Sequence, residues 1–399
     1  MVKKPWSVPY ENTCKVTCPC CGLLCDDVQL ENNQVVNLSC TKGVAFFEQS
    51  LAENTPQING KPATLQAAIL KATEILKQAQ KPIFTGLSTD VQGFRAVYDL
   101  SQKINAKLCH MNATSMARNL KVLQSTGWQT TTLTEVKNRA DVIVCFGSDI
   151  VSHNPRFFER FVDVDGMFLT AKNRQIIIIG NASNQGIIKS DALQAALVLP
   201  CRGDDLPSVT IALRALVAGK TLKATEIAGV KVSDLQAVAD KLKTAKYAVL
   251  AWVAKDLDFP HAELTIQNIT ETVATLNKTT RAAGLPLGGS DGDTSANNAN
   301  TWLSGLTLND EHTEHDAMLW VNSFSPEKMS PQTDKPLIVI GNSNIKLKAD
   351  VFIPIATPGL DCSGTLFRVD SSVVLHLKKV RESTLPTLSE VVSQIEALL

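Results

Sequence analysis

Cysteine is the residue whose type and spacing in this sequence most directly suggest chemistry. Of ten cysteines, Cys14, Cys18, Cys20, Cys21 and Cys25 fall within the first 25 residues, and Cys40 follows. Cys18, Cys21 and Cys25 have the spacing C-x2-C-x3-C. Val28 and Leu30 alternate on one arm, and Val35, Val36 and Leu38 lie on another, with Glu31-Asn32-Asn33-Gln34 between them. That pattern predicts a hairpin, which would return Cys40 to the neighbourhood of Cys25. Four thiolates around one point suit a cubane iron–sulfur cluster, because soft sulfur ligands match iron. They also suit tetrahedral structural zinc, and thiols holding no metal are the third reading. The uneven spacing favours the cluster over two zinc-type C-x-x-C knuckles. Cys14 and Cys20 fit neither set and are read as bystanders.

Other residues invite weaker readings. Cys109-His110 ends a short apolar run, where a cysteine ordinarily packs as a small hydrophobe. Arg156, in Asn154-Pro155-Arg156, follows a strand ending at Gly147. It would meet a phosphate or carboxylate, or make a surface ion pair. His312 and His315 have metal-pair spacing but no evident third ligand in a very polar stretch, so a solvated face is the reading. The glycine-rich run Ala283 to Asn300 reads as a flexible surface loop, with a cofactor-facing loop as the alternative, since glycine lets backbone approach a ligand. No G-x-G-x-x-G opens a helix after a strand, which disfavours nicotinamide binding. No G-x-S-x-G occurs, so a hydrolase elbow is absent.

The elements that must carry these residues alternate. Thr64 to Ala79 has Leu65, Ile69, Ala72, Ile75 and Leu76 on one helical stripe. Ile83–Gly86, Asp141–Gly147, Gln175–Gly180, Tyr247–Val253, Ala317–Val321, Leu337–Gly341 and Val351–Ile355 are continuous apolar runs, as parallel strands buried on both faces require. Ser233 is the expected N-cap of a helix running to Thr244. Strand–helix alternation over the greater part of the chain predicts doubly wound parallel sheets, with ligands at the carboxyl ends of strands.

Composition narrows the class. The chain has 399 residues, 44% of them hydrophobic and 20% charged, with Lys plus Arg equal to Asp plus Glu at 39 each. A balanced chain carries no global field for nucleic acid or an anionic membrane, so neither is an expected partner. Met1 to Pro9 has no apolar core, and no stretch reaches the roughly 20 apolar residues of a membrane helix. A cytoplasmic protein is expected, and there clustered cysteines point to metal before disulfides.

The run Cys18-Pro-Cys20-Cys21-Gly-Leu-Leu-Cys25-Asp-Asp-Val28, followed by Leu38-Ser-Cys40-Thr-Lys-Gly43, resembles the N-terminus of the B subunit of formylmethanofuran dehydrogenase. So do Leu133 to Gly147, Ala349 to Ile355, and Ser363 to Asp370 with Leu377 to Val380. These stretches occur in family order and cover most of the chain. The resemblance implies a molybdopterin-oxidoreductase-like α/β fold. A small N-terminal β-rich cysteine domain would span residues 1–60. Residues 61–399 would form two doubly wound parallel-sheet domains, lacking a C-terminal dinucleotide-binding domain that is carried by a different polypeptide. Cys18, Cys21, Cys25 and Cys40 match the [4Fe-4S] ligands of the family. Cys109-His110 matches its metal-ligating cysteine and neighbour, and Arg156 an arginine that the family also carries after a proline, a candidate to bind the cofactor.

The departures are as specific as the matches. Met111-Asn112 replaces a family Gly-Pro. Gly288-Gly-Ser-Asp-Gly292 stands where the family has an arginine loop. Gly180-Asn181-Ala182 replaces Asp-Pro-Arg, and Asn322-Ser323-Phe324-Ser325 replaces another tight turn. An anionic pterin dinucleotide needs such fixed donors. The pattern is similar to methylotroph relatives in the formyltransferase/hydrolase complex, which moves a formyl group from tetrahydromethanopterin to methylofuran and releases formate. The implied role is that of the non-catalytic B subunit, alongside the A, C and D components of the complex. Methylofuran would be the bound carrier, with no molybdenum or tungsten pterin and with Cys109 and His110 vestigial. The alternatives are a catalytic component of formylmethanofuran dehydrogenase and a free-standing iron–sulfur electron carrier.

Overall fold

Apolar runs without polar alternation are stable as strands only when both sheet faces are covered. A computed structural model, describing residues 13–32, 34–36, 38–52, 55–180, 190–308 and 314–399, covers them in that way. The chain opens with β1 (Thr13–Val16), β2 (Val28–Glu31) and β3 (Gln34–Val36), an antiparallel sheet in that order. The expected hairpin is β2–β3, with Glu31 opposite Gln34. A short helix, Thr41–Phe47, begins directly after Cys40.

Next come β4 (Gln57–Ile58), β5 (Lys61–Pro62), β6 (Pro82–Ser88) and β7 (Lys107–His110). The chain then leaves for β8 (Val142–Phe146), β9 (Gln175–Ile179), β10 (Leu197–Leu199), a small hairpin β11 (Glu226–Ile227) and β12 (Val230–Lys231), β13 (Ala248–Val253) and β14 (Ala282–Leu287). It returns for β15 (Ala317–Asn322), β16 (Leu337–Asn342) and β17 (Val351–Ile355), and ends with a hairpin, β18 (Gly364–Phe367) and β19 (Val374–Leu377), and the helix Leu388–Leu398.

Two large sheets result. One has seven strands in the order β5-β4-β17-β16-β15-β6-β7, the other five in the order β10-β9-β8-β13-β14. All neighbours are parallel except β4, which runs antiparallel to β17 and β5. The winding direction reverses between β6 and β15 in the first sheet and between β8 and β13 in the second. Crevices for ligands open at the carboxyl ends of strands at such reversals. The N-terminal strands pack on one face of the five-stranded sheet, where Val16, Leu23, Val28 and Leu30 share a core with Ile143, Cys145, Phe157 and Leu285.

Local sequence explains most boundaries. Thr64 caps the helix Leu65–Gln78 by accepting the Ala67 N–H, and Ala68, Ile69, Ala72, Ile75 and Leu76 are buried on its inner stripe. Two expectations are corrected. Ser233 is not an N-cap: β12 runs straight into the helix Val232–Thr244, and Lys231 takes the cap position without a side-chain bond. Ala283–Asn300 is not a surface loop. It comprises most of β14, a tight turn and the first part of the helix Asp293–Ser304, because Ala282 to Leu287 pair in register with Ala248 to Val253. Among the described residues no helix is long and apolar enough to cross a membrane.

Candidate functional site

The cysteine loop between β1 and β2 is held by its own backbone: the Cys18 N–H donates to the Cys25 carbonyl at 2.9 Å and the Leu24 N–H to the Cys21 carbonyl at 3.1 Å. Cys18, Cys21, Cys25 and Cys40 are all buried. They border a cavity of about 10 Å³ that Cys20, Leu38 and Arg156 also line. Cys20, read as a bystander, also borders this void, whereas Cys14 is exposed on β1. Burial lifts the Cys25 thiol to about 11, against a downward pull from Arg160, and lifts Cys21 further.

Arg156 is buried, not a surface residue, and does not line the large cleft. Its guanidinium forks onto Asp27 (2.7 and 2.8 Å) and also donates to Glu159. Arg160 reaches Asp26 at 2.6 Å. Burial works against ionising Asp27, but the bond to Arg156 and the charge of Arg160 hold its carboxyl below the usual range. The phosphate or carboxylate expected for Arg156 is therefore supplied by the protein.

In residue type the four thiols fit an iron–sulfur cluster, although the two nearby arginines are already paired with Asp26, Asp27 and Glu159. In spacing, the void between them has room for about one water. Among the described residues, no three His, Cys, Asp or Glu side chains are placed to hold one ion.

The main cleft, about 950 Å³, opens at the carboxyl ends of both sheets. Its joint with the cysteine loop is backbone on backbone. The Gly22 N–H donates to Gly289 O at 2.7 Å, and the Val369 N–H donates to Gly22 O at 2.9 Å. A Cβ on Gly22 would fall 2.5 Å from Gly288 O and 2.6 Å from Val369 Cβ, so only glycine fits.

One polar network closes an end of the cleft. Asp291, buried and with φ of 58°, bonds Ser290, Ser325 and the ammonium of Lys328. Asn112 donates to Ser290, Asp291 and Asp293. Burial opposes ionisation of Asp291, but Lys328 and the hydroxyls depress its carboxyl to about 2. A second group lies near the β8–β13 reversal. His153 Nε2 meets Asp256 Oδ1 at 2.6 Å, Asp256 Oδ2 accepts the Asp149 N–H, and Lys42 Nζ bonds Ser152 O. Three stretches that the sequence singled out as departures, at Asn112, Gly288–Gly292 and Asn322–Ser325, meet in the first network, whereas Lys328 and the His153–Asp256 group were missed.

Cys109 and His110 end β7, but neither lines the cleft. Cys109 lies in the apolar layer of Ile83, Met318, Trp320 and Val339. His110 is buried and spoken for: Nδ1 accepts the Asn112 N–H at 3.0 Å, leaving Nε2 to donate to Asp291 O at 3.2 Å. Burial lowers its pKa and keeps the ring neutral. Of the remaining candidates, His315 shares a bond with Thr333, whereas His312 and the Asn181-Ala182 turn lie outside the described residues.

A molybdenum or tungsten pterin does not fit these residues. Among the described residues no arginine lines the cleft; of its lysines, Lys328 is paired with Asp291 and Lys42 bonds Ser152 O, which leaves Lys255, and Asp291 and Asp293 stand on or just after the Gly288–Gly292 turn that the resemblance matches to an arginine loop. Phosphates brought against those carboxylates would be buried without partners.

No protein-family model matches the chain. It is 25% identical over 410 residues to the B subunit of tungsten-containing formylmethanofuran dehydrogenase 2 of Methanocaldococcus jannaschii, spanning 92% of this chain and 93% of that protein. The protein of the same name from Methanococcus maripaludis is 26% identical over the same spans. The B subunit of the formyltransferase/hydrolase complex Fhc of Methylorubrum extorquens is 24% identical over 84% of this chain and 93% of that one. Among solved structures, a chain of the Methylorubrum extorquens FhcABCD complex with methylofuran superposes with a TM-score of 0.72 at 22% identity, covering 86% of this chain and 98% of that chain. Acetylene hydratase of Pelobacter acetylenicus gives 0.65 at 10% identity, covering 96% and 69%. The chain is thus a homologue of the B subunits of formylmethanofuran dehydrogenase and of the Fhc complex, on a molybdopterin-oxidoreductase-like α/β fold.

Proposed function

We propose that this chain is the B subunit of a formyltransferase/hydrolase complex, acting as a non-catalytic scaffold that takes methylofuran into its cleft while formyl transfer and hydrolysis occur on the A, C and D components. The observation that carries this reading is the cleft itself. It keeps the place and size of a ligand site at two strand reversals, but among the described residues it is lined by no arginine, its Lys328 is held by Asp291, and Cys109 lies in an apolar layer. The near full-length likeness to the Fhc B subunit supports the assignment to that complex. The test is metal analysis of the anaerobically purified complex. Molybdenum and tungsten are expected well below one atom per complex, and a stoichiometric amount of either would overturn the reading.

The gathering of Cys18, Cys21, Cys25 and Cys40 favours a second reading, a catalytic component of formylmethanofuran dehydrogenase that keeps its [4Fe-4S] cluster. It predicts about four iron atoms per chain and dye-linked oxidation of formylmethanofuran that Cys109→Ser abolishes. Oxidation surviving that substitution removes it.

A further inference from the structure

A second cavity, about 310 Å³, lies among the cysteine loop, the helices Leu133–Arg139 and Phe157–Phe161, and the β18–β19 hairpin. It shares no lining residue with the cleft. Its side chains are rich in donors. Lys137, Arg160 and Arg368 bring three cations, and Asp26 is the one carboxylate on the lining. Arg160 gives Nη2 to Asp26 at 2.6 Å. Arg368 spends Nε and Nη2 on Asp370 and Ser372, which leaves Nη1. Among the described residues the Lys137 ammonium has no hydrogen-bond or ion-pair partner. Asn138 uses its oxygen to accept the Met167 N–H, leaving its NH2 group unspent. Leu24, Phe161 and Leu375 supply an apolar side to the same space.

Arg160 and Arg368 already have Asp26 and Asp370 as counter-charges, so the uncompensated charge is that of Lys137, and an apolar wall strengthens its attraction for an anion by excluding water. The volume is at the lower end of small-molecule sites, which start at roughly 300 Å³. We propose that this cavity binds a small oxyanion, a carboxylate or phosphate on a short apolar body, with Lys137 as its principal cation and Asn138 and Arg368 as further donors. The inference is independent of the methylofuran reading.

The test is calorimetric titration of the full-length chain with inorganic phosphate and, separately, with succinate, at ionic strength held constant with chloride. Saturable one-site binding of at least one anion is expected. Lys137→Met keeps the aliphatic stem and should weaken that binding by about tenfold, the worth of one charged hydrogen bond. Lys137→Arg should restore most of it, which separates a lost contact from a damaged fold. Failure of both anions to saturate, or equal affinity in wild type and Lys137→Met, overturns the site.

Discussion

The cysteine nest and the end of the cleft beside Cys109 match the same family in sequence, yet their surroundings differ. In the nest, four buried thiols and a fifth border one void, and Arg156 and Arg160 stand beside it with Asp26, Asp27 and Glu159 as their own counter-charges. Beside the cleft, the single thiol of Cys109 faces apolar side chains, and the polar groups are carboxylates satisfied by Lys328, serines and Asn112. A donor residue at a family position therefore says little until the charges around it are counted. In both places the cations are already met by carboxylates of the protein: Arg156 and Arg160 by Asp26, Asp27 and Glu159, and Lys328 by Asp291.

The largest effect is expected at the joint between the two regions. Gly22→Ala forces a methyl group into Gly288 O and Val369 and should cost about 2–3 kcal/mol in urea denaturation. It should also loosen the cysteine loop, seen as faster hydrogen exchange at the Val369 amide. A cost below about 0.5 kcal/mol would mean that the regions are not coupled by this contact.

A smaller effect is expected at Asp291. Asparagine tolerates the positive φ, so Asp291→Asn removes the charge and one hydrogen-bond acceptor without straining the turn. About 1–2 kcal/mol should be lost at neutral pH, because the partly buried Lys328 loses a buried partner. The folded carboxyl lies near 2 against about 3.9 unfolded, so its stabilisation is full above about pH 4 and is lost as pH falls toward 2. Asp291→Asn should flatten that part of the stability–pH curve. An unchanged curve would show that the pair with Lys328 contributes nothing there.

The smallest effect concerns His110. Its folded pKa lies below the ordinary 6.5 because burial disfavours the charged ring. As pH falls below about 6.5 the unfolded chain takes up a proton that the folded chain does not, so stability declines from that point downward. His110→Gln should remove this slope at a cost of about 1 kcal/mol at pH 8, read from melting curves at several pH values. A slope that persists would assign it to another group.

Much of the fold was legible because its signals are local. Gln175–Ile179 and Val142–Phe146 are apolar without alternation, and only a strand covered on both faces accommodates that. Thr64 announces its helix through one side-chain bond. Ser233 misled because an adjoining strand fixed the helix start before the cap preference could act. The run Ala283–Asn300 misled because its glycines look like a loop, whereas pairing with β13 outweighs their weak strand preference.

The candidate site divides along the same line. Four cysteines of suitable type and order, and the absence of arginine from the Gly288–Gly292 turn, were determined by the sequence alone. Whether Cys109 faces the cleft or the apolar layer turns on how β7 sits beside β6, and that is a tertiary matter. The meeting of Asn112, Asp291 and Lys328 was likewise decided only by the fold. It joins residues about 180 and 37 positions apart, and sequence periodicity carries no information about contacts at such distance once chain entropy has been overcome by packing.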